Sequence, residues 1–200
     1  SGSGKTTVAN LLMGLLEGNS GQITFINKDI NQYLKYEKKN FRKNIQMVFQ
    51  DPYGSLNPRK TIGTTLSLAI KIHFKLNEDE TKNKVFELLE KVELTPPEVF
   101  YERHPHELSG GQQQRVAIAR AISTEPKLII SDEAVASLDM SIRSEILKLL
   151  KKINLETKVS MIMISHDLSV LKNMCNRIAI MHLGKIIEIG EKKEIFDSPQ

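Results

Sequence analysis

The chain has 200 residues, of which 40% are hydrophobic and 26% are charged, a composition typical of a globular domain and unlike that of a disordered chain. No apolar run approaches the roughly 20 residues that a membrane-spanning helix needs, and one cysteine, Cys175, excludes an internal disulfide bond. The formal net charge of +4 is mildly basic and does not demand a nucleic-acid partner. The densest basic group, at residues 35–43, is predicted to be a solvated helix face.

In chain order, the elements alternate between helices and strands around a long helical stretch. Helices are predicted at residues 8–16, where Gly18 closes the pattern, and at residues 112–122 and 141–153. Strands are predicted at residues 23–26, 45–49, 128–130, 159–164 and 177–182. Three- and four-residue apolar spacing predicts a helical subdomain at residues 61–110, inserted in the core. Continuous apolar strands that alternate with helices predict an α/β fold with a mainly parallel sheet, covered on both faces.

The chain begins with the second half of a phosphate-binding loop. Its small residues let backbone N–H groups turn toward phosphate oxygens, and the helix that begins near Lys5 directs its positive end at the same anion. Lys5 is expected to reach the β- and γ-phosphates of a nucleotide, and the Thr6 hydroxyl to ligate Mg²⁺. A glycine–serine tag explains residues 1–4 but not the Lys-Thr-Thr that leads into an apolar helix. The predicted nucleotide ligands are Gly2, Ser3, Gly4, Lys5, Thr6 and Thr7.

Two carboxylates follow the continuous apolar strand at residues 128–130. An open α/β sheet places its ligands at the carboxyl ends of its strands, which is where Asp132 and Glu133 lie. Asp132 suits Mg²⁺ binding, and Glu133 suits a general base that polarises an attacking water. Taken alone, the pair is explained equally well by an acidic turn after a strand.

A third motif, Leu108-Ser109-Gly110-Gly111-Gln112, places a serine side chain and glycine amides at a helix start, which makes a second anion site. This run resembles the signature sequence of ATP-binding cassette (ABC) ATPases, and the resemblance covers essentially the whole chain. It implies a P-loop NTPase fold of the ABC type. It further implies that two chains pair head to tail, with ATP held between the phosphate loop of one and residues 109–112 of the other.

The resemblance also assigns roles to positions further along the chain. Gln50 matches the Q-loop glutamine, which contacts Mg²⁺ and senses the γ-phosphate, and His166 matches the switch histidine, which contacts the γ-phosphate. Asp139 belongs to the D-loop, Ser137-Leu138-Asp139, which crosses the dimer interface. ATP and Mg²⁺ are then the implied cofactors. The resemblance implies Glu133, His166 and Gln50 as catalytic residues and Thr6, Gln50 and Asp132 as metal ligands.

A narrower resemblance concerns residues 49–59, which look like the Q-loop region of ATPases that serve oligopeptide, dipeptide and nickel importers; residues 103–107 and 164–169 fit that group too. It implies a peripheral subunit at the cytoplasmic face of the cell membrane that hydrolyses ATP to power peptide import. The implied partners are a second ABC ATPase subunit, identical or related, transmembrane permease subunits and, indirectly, a solute-binding protein, without nucleic acid. A nickel-chelate importer and a soluble ABC ATPase that acts on ribosomes or DNA ends stay as alternatives.

The chain departs from the family pattern at a few positions. Ala134 stands where the family usually has proline, and Ala136-Ser137 inverts the usual order of these two residues. The first glycine of the phosphate loop and the aromatic residue that stacks on adenine would precede residue 1. The pattern therefore predicts that residues 1–200 are a single ABC nucleotide-binding domain that is incomplete at its N-terminus and continues past residue 200. Poor ATP binding by this piece alone stays as a further alternative.

Overall fold

A computed structural model describes residues 2–197 of the chain. These residues form two compact units, a middle unit of residues 39–162 and an end unit of residues 2–38 and 163–197. The predicted domain limits at residues 1 and 200 lie outside the described residues. In the described part of the chain, no helix combines the length and apolarity needed to cross a membrane.

The middle unit contains the three-stranded sheet, with strand order β3-β4-β5, and most of the helices. Its strands are β3 (Ile45–Val48), β4 (Leu128–Asp132) and β5 (Ser160–Ile164), and the division between the units falls within β5. Its helices are α3 (Lys38–Asn44), α4 (Pro52–Ser55), α5 (Ile62–His73), α6 (Glu78–Lys91), α7 (Pro97–Glu102), α8 (Gly110–Ile122) and α9 (Met140–Thr157), with a 3₁₀ turn at Pro105–Glu107.

The sheet of the middle unit confirms the predicted parallel pairing. Strands β3 and β4 run parallel, with Ile45 opposite Leu128 and Val48 opposite Ser131. The backbone N–H of Ser160 donates to the carbonyl oxygen of Lys127 (3.0 Å), which places the start of β5 beside β4. Apolar residues fill both faces of this sheet, as expected for strands covered by helices. Fully buried side chains include Phe41, Ile45, Leu66, Ile118, Ile129, Ile130, Ile146 and Leu149.

Residues 61–108 form α5, α6, α7 and the 3₁₀ turn, which agrees with the predicted helical stretch. Helix α6 begins with a capping box, in which the Asn77 side chain accepts from the backbone N–H of Glu80 and the Glu80 carboxylate accepts from that of Asn77. Gly63 on α5 faces the ring of Tyr101 on α7 so closely that an added Cβ would lie 2.5 Å from ring carbons. The limits of an inserted subdomain at residues 61–110 stay a prediction.

The end unit contains two antiparallel hairpins and four helices. The hairpins join β1 (Thr24–Phe25) to β2 (Lys28–Asp29) and β6 (Arg177–His182) to β7 (Lys185–Glu191). Both hairpins turn through two residues with positive φ, of which the second pair is Leu183 (+45°) and Gly184 (+78°), the backbone that two-residue hairpin loops favour. The helices are α1 (Lys5–Leu12), α2 (Ile30–Tyr36), α10 (Leu168–Met174) and α11 (Lys192–Asp197).

Two details of the predicted end unit are wrong. The helix expected at residues 8–16 ends at Leu12, because Gly14 adopts φ +60° and lies so close to Leu34 that an added Cβ would be 2.3 Å from its Cδ1. Strand β6 was expected in the parallel sheet but pairs antiparallel with β7. The predicted solvated basic face falls on α2 and α3, where Lys35, Lys38 and Lys39 are exposed.

Candidate functional site

The phosphate loop lies in the end unit, with a backbone that suits an anion. Gly2 and Gly4 have φ of +87° and +90°, values that side-chain-bearing residues rarely adopt. Helix α1 follows at once, and its N-cap residue, Gly4, offers no side chain to cap the first turn. The first backbone N–H groups of α1 therefore remain available for phosphate oxygens. Lys5 reaches back over the loop, donating from Nζ to Ser3 Oγ at 2.9 Å, while Thr6 and Thr7 are exposed.

The turn between β6 and β7 supports this loop. The Gly184 N–H donates to the Ser3 carbonyl oxygen (3.1 Å), and an added Cβ on Gly4 would lie 3.5 Å from Gly184 Cα. That second distance is an ordinary contact, so the positive φ rather than the available space makes glycine the preferred residue at position 4. Gly184 was not predicted from the sequence, although a glycine flanked by two apolar runs is a signal for such a turn.

His166 lies in the same unit on a braced loop between β5 and α10. The Asp167 N–H donates to Ser165 Oγ (3.0 Å), and Asp167 Oδ1 accepts from the N–H (2.9 Å) and the hydroxyl (2.6 Å) of Ser169. These bonds cap α10 and fix the backbone on either side of the histidine. The exposed imidazole of His166 is thus presented from a fixed backbone.

The predicted carboxylates lie in the middle unit at the carboxyl edge of the sheet. Asp132 ends β4 and is 6% exposed, and Glu133 follows with φ +48°, an uncommon conformation for a residue with a side chain. The Ala136 N–H donates to the Glu133 carbonyl oxygen (2.9 Å) and closes the turn. Because β3 and β4 are parallel, Gln50 after β3 and Asp132 at the end of β4 lie at the same edge of the sheet. Gln50, Asp132 and Glu133 therefore follow neighbouring parallel strands at one edge of the sheet.

These residues fit Mg²⁺ bound with a nucleotide. A buried carboxylate such as Asp132 is costly unless it is paired or close to a cation, and an amide oxygen such as that of Gln50 is a hard ligand of the kind Mg²⁺ prefers. Among residues 2–197, no three His, Cys, Asp or Glu side chains cluster as a metal site of their own. Mg²⁺ is usually bound by a few protein oxygens, and phosphate oxygens complete its coordination shell. A small set of ligands such as Gln50 and Asp132 matches this arrangement. Thr6, the remaining predicted ligand, belongs to the end unit, and its role stays a prediction.

The signature motif starts α8 in the middle unit. Ser109 is the N-cap residue: its Oγ accepts from the Gln112 N–H (3.3 Å), and Gln112 Oε1 accepts from the Ser109 N–H (3.0 Å). Gln113 fastens the preceding segment, donating from Nε2 to the carbonyl oxygens of Pro105 (2.9 Å) and Leu108 (3.1 Å). The sequence analysis missed this role of Gln113. The glycine amides that follow Ser109 suit an anion, and anion binding at the start of α8 stays a prediction.

The two signature glycines differ in their surroundings. Gly111 is buried, and an added Cβ there would lie 2.7 Å from Ile142 Cγ2 on α9, whereas one on exposed Gly110 would lie 3.9 Å from Leu138 Cδ2. The start of α8 therefore packs against α9 and against the D-loop, which precedes α9. Asp139 is exposed at the start of α9, and its side chain does not cap that helix.

The predicted residues thus fall into sets within each unit. The end unit holds the phosphate loop and His166, and the middle unit holds the sheet-edge set of Gln50, Asp132 and Glu133. The middle unit also holds residues 109–112 and Asp139 on neighbouring elements. The contacts of each predicted side chain with a nucleotide or a metal stay predictions.

Comparison with known proteins identifies the family of the chain. Residues 1–136 match the model of the family described as ABC transporter. The chain is 42% identical over 200 residues to the glutathione import ATP-binding protein GsiA of Escherichia coli (strain K12), covering 100% of this chain and 32% of that protein. The protein of the same name from Salmonella typhi gives the same values. The chain therefore spans about a third of the length of these curated relatives.

Solved structures show the same fold. The structure of cbiO1 from Clostridium perfringens, described as part of the ABC transporter complex cbiONQ, matches with a TM-score of 0.87 and 34% identity over 99% of this chain and 76% of that one. The ATP-binding cassette MJ0796, described as dimeric, in a post-hydrolysis state and bound to ADP and Pi, matches with a TM-score of 0.83 and 30% identity over 95% of this chain and 81% of that one. The predicted fold class and ATPase family are confirmed. The chain belongs to the ABC transporter family and has the fold of its ATPase domains.

Proposed function

We propose that this chain is part of an ATP-binding subunit that hydrolyses ATP to power the import of a small peptide. The observation that carries the proposal is the pair Asp132 and Glu133, which ends a buried parallel strand in a chain of this family. The buried Asp132 suits Mg²⁺ binding, and the adjacent Glu133, held at φ +48°, suits a base next to the bound metal.

The chain's own residues divide the work of phosphoryl transfer between them. Lys5 and the positive end of α1 would hold the phosphates, and Thr6, Gln50 and Asp132 would hold Mg²⁺, which would supply positive charge to offset that of the phosphates. Glu133 orients the attacking water and accepts its proton. His166, on its braced loop, donates a hydrogen bond to the γ-phosphate.

The proposed site is completed by a second cassette. Residues 109–112 and Asp139 of one cassette face the nucleotide on the phosphate loop of the other, so each site needs both. Two observations support this: the start of α8, with its serine cap and glycine amides, suits a second anion within one chain, and the similar MJ0796 cassette is described as dimeric. The second cassette is an identical or a related chain.

The proposed docking segment for the membrane permease is residues 51–59, which follow Gln50 and are mostly exposed. The segment rests on the signature helix, because the Arg120 guanidinium on α8 donates to the Ser55 carbonyl oxygen. That arginine is desolvated, and burial lowers its pKa from the ordinary value. The similar cbiO1 protein is described as part of a transporter complex. The subunit would sit at the cytoplasmic face of the membrane and serve a solute-binding protein indirectly.

The proposed cargo is a small peptide of the glutathione type. Glutathione is a tripeptide, and the curated relatives that are 42% identical to this chain are named for its import. This favours a peptide over a nickel chelate, and a transporter over a soluble ABC ATPase. The discriminating measurement is uptake of labelled glutathione, a dipeptide and nickel by cells that lack the gene: loss of nickel uptake alone would overturn the peptide assignment.

The catalytic proposal is tested on the full-length protein with Glu133→Gln. Turnover of ATP is expected to fall by about 10²-fold or more, because the base is lost, while an ATP-dependent dimer accumulates and is detected by light scattering. Glu156→Gln on α9 is the matched control: the same charge is removed from an exposed carboxylate, and turnover should not change. Wild-type turnover in Glu133→Gln would overturn the role of Glu133.

A further inference from the structure

Arg115 ties the signature helix to two other elements of the middle unit. Its Nη1 donates to the Val92 carbonyl oxygen (3.0 Å) and to Glu93 Oε2 (2.6 Å), and its Nη2 donates to Glu145 Oε2 (3.2 Å). The Arg115 side chain is 12% exposed, and its bond to the Val92 carbonyl oxygen is part-buried, whereas Glu93 and Glu145 are 51% and 61% exposed. The guanidinium is therefore packed in place, and its two ion pairs reach solvent. One guanidinium therefore links α8 to the end of α6 and to α9.

A second contact continues the same seam between α8 and α9. Gly111 packs so closely on Ile142 that an added Cβ would lie 2.7 Å from its Cγ2. Gly111 and Arg115 are four residues apart on α8, and Ile142 and Glu145 are three apart on α9, so each pair lies on one face of its helix. The two contacts together fix both the distance and the rotation of the signature start relative to α9.

The D-loop is fastened to the start of the same helix. Arg143 on α9 donates from Nη2 to the carbonyl oxygens of Leu138 (3.2 Å) and Ala136 (3.4 Å). Gly110 at the start of α8 lies beside Leu138, with 3.9 Å from an added Cβ to Leu138 Cδ2. The backbone of residues 136–138 is thus held between the first turn of α9 and the start of α8.

We propose that Arg115 is a positioning residue that locks the signature start and the D-loop, residues 109–112 and 136–139, into one rigid body. This rests on the proposed two-cassette function, in which both segments face the second chain. Only the geometry of that shared site depends on the lock, whereas ATP first binds to the phosphate loop of its own chain. Loss of Arg115 should therefore lower kcat and leave the KM for ATP nearly unchanged, since small misplacements of reacting groups are costly to the rate.

The test uses the full-length protein with Arg115→Met, Arg115→Lys, Glu145→Gln and the double variant Arg115→Met/Glu145→Gln. We expect kcat to fall by ~10-fold in Arg115→Met and by less in Arg115→Lys, with the KM for ATP changed by less than about 2-fold. The double variant should be no slower than Arg115→Met, because both changes break the same link. Lys91→Met is the matched control. It removes a cation from the ion pair between Lys91 on α6 and Glu156 on α9 (Nζ to Oε2, 4.0 Å), which does not involve α8, so kcat should stay unchanged.

Independent, multiplicative losses of kcat in Arg115→Met and Glu145→Gln would overturn the lock, as would an equal loss in Lys91→Met. If Arg115→Met does not fold, Arg115→Lys and Glu145→Gln carry the same comparison. Failure of the underlying function looks different, since Glu133→Gln would then turn over ATP like the wild type. If Glu133→Gln turns over ATP slowly while the Arg115 variants keep the wild-type kcat, the proposed ATPase function stands and only the role of Arg115 is refuted.

Discussion

Alanine should destabilise the protein at Gly111 but not at Gly110, the adjacent signature glycine. An added Cβ on Gly111 would lie 2.7 Å from Ile142 Cγ2, closer than real Cβ atoms approach, whereas one on Gly110 would lie 3.9 Å from Leu138 Cδ2, an ordinary contact. Both glycines are helical residues of α8, so alanine has the same intrinsic preference for the backbone at each. The difference between the two variants therefore reports the contact with α9.

Two opposing effects on the unfolding free energy decide the outcome: the helix preference of alanine and the close contact of its methyl group. Replacing glycine by alanine in a helix interior gains about 1 kcal/mol, and less in the first turn, where these residues lie. The Gly111 contact must lengthen by roughly 1 Å to reach the usual carbon–carbon separation, and overpacking of this kind costs about 1–3 kcal/mol. We expect Gly111→Ala to lose about 1–2 kcal/mol of unfolding free energy and Gly110→Ala to be neutral or to gain up to about 0.5 kcal/mol.

The assay is urea unfolding of the full-length variants, followed through the shift in midpoint. Ile142→Ala removes the methyl group that an alanine at position 111 would meet, so the double variant Gly111→Ala/Ile142→Ala should be more stable than the sum of the single changes implies. Equal midpoints for Gly110→Ala and Gly111→Ala, or strict additivity with Ile142→Ala, would refute the close packing of α8 on α9.

Two further predictions concern the same part of the chain. Gln114 is 0% exposed, and within residues 2–197 neither atom of its amide group has a hydrogen-bond partner, so Gln114→Met should raise the unfolding free energy by about 1–3 kcal/mol; a lower melting temperature would contradict this. The His104 N–H, which donates to Glu107 Oε2 at 2.6 Å, lowers the pKa of Glu107 below the ordinary 4.5. The ionised Glu107 therefore stabilises the fold at pH values above its pKa in the unfolded chain, and this stabilisation is lost as the pH falls through its lower pKa in the folded chain. The urea midpoints of wild type and Glu107→Gln should therefore differ at pH 6 and converge in acid.

The sequence predicted the elements whose signals are local. The strand at β4 begins with a continuous apolar run and is followed by Glu133, so a mainly parallel sheet with two carboxylates at the end of a strand was predicted from the pattern. That β3, which carries the polar Gln46, is the parallel partner of β4 was seen only in the structure. The signature motif was predicted to place a serine side chain and glycine amides at a helix start, and α8 begins at Gly110, two residues before the predicted helix at residues 112–122.

The features that the sequence left open depend on partners far along the chain. Apolar spacing identified β6 as a strand but did not show that it pairs with β7, a strand whose exposed isoleucines and charged residues alternate without a clear buried face. The partners of Arg115 lie 22 and 30 residues away, so no local rule could connect them. Gly14 ended α1 early through its contact with Leu34, which is likewise a tertiary effect.

The capping geometry of α8 explains how one serine can serve both the fold and the proposed site. The bond from the Gln112 N–H to Ser109 Oγ is long, at 3.3 Å, and the reciprocal bond from the Ser109 N–H to Gln112 Oε1 is shorter, at 3.0 Å. A good N-cap contributes about 1 kcal/mol, so this stretched bond contributes less, whereas a hydrogen bond to a charged phosphate contributes about 1.5–3 kcal/mol. In the proposed two-cassette site, the Ser109 hydroxyl would therefore leave its cap for the γ-phosphate while Gln112 still closes the end of the helix. A serine so placed stabilises α8 in the separate chain and would cost little to recruit in that proposed site.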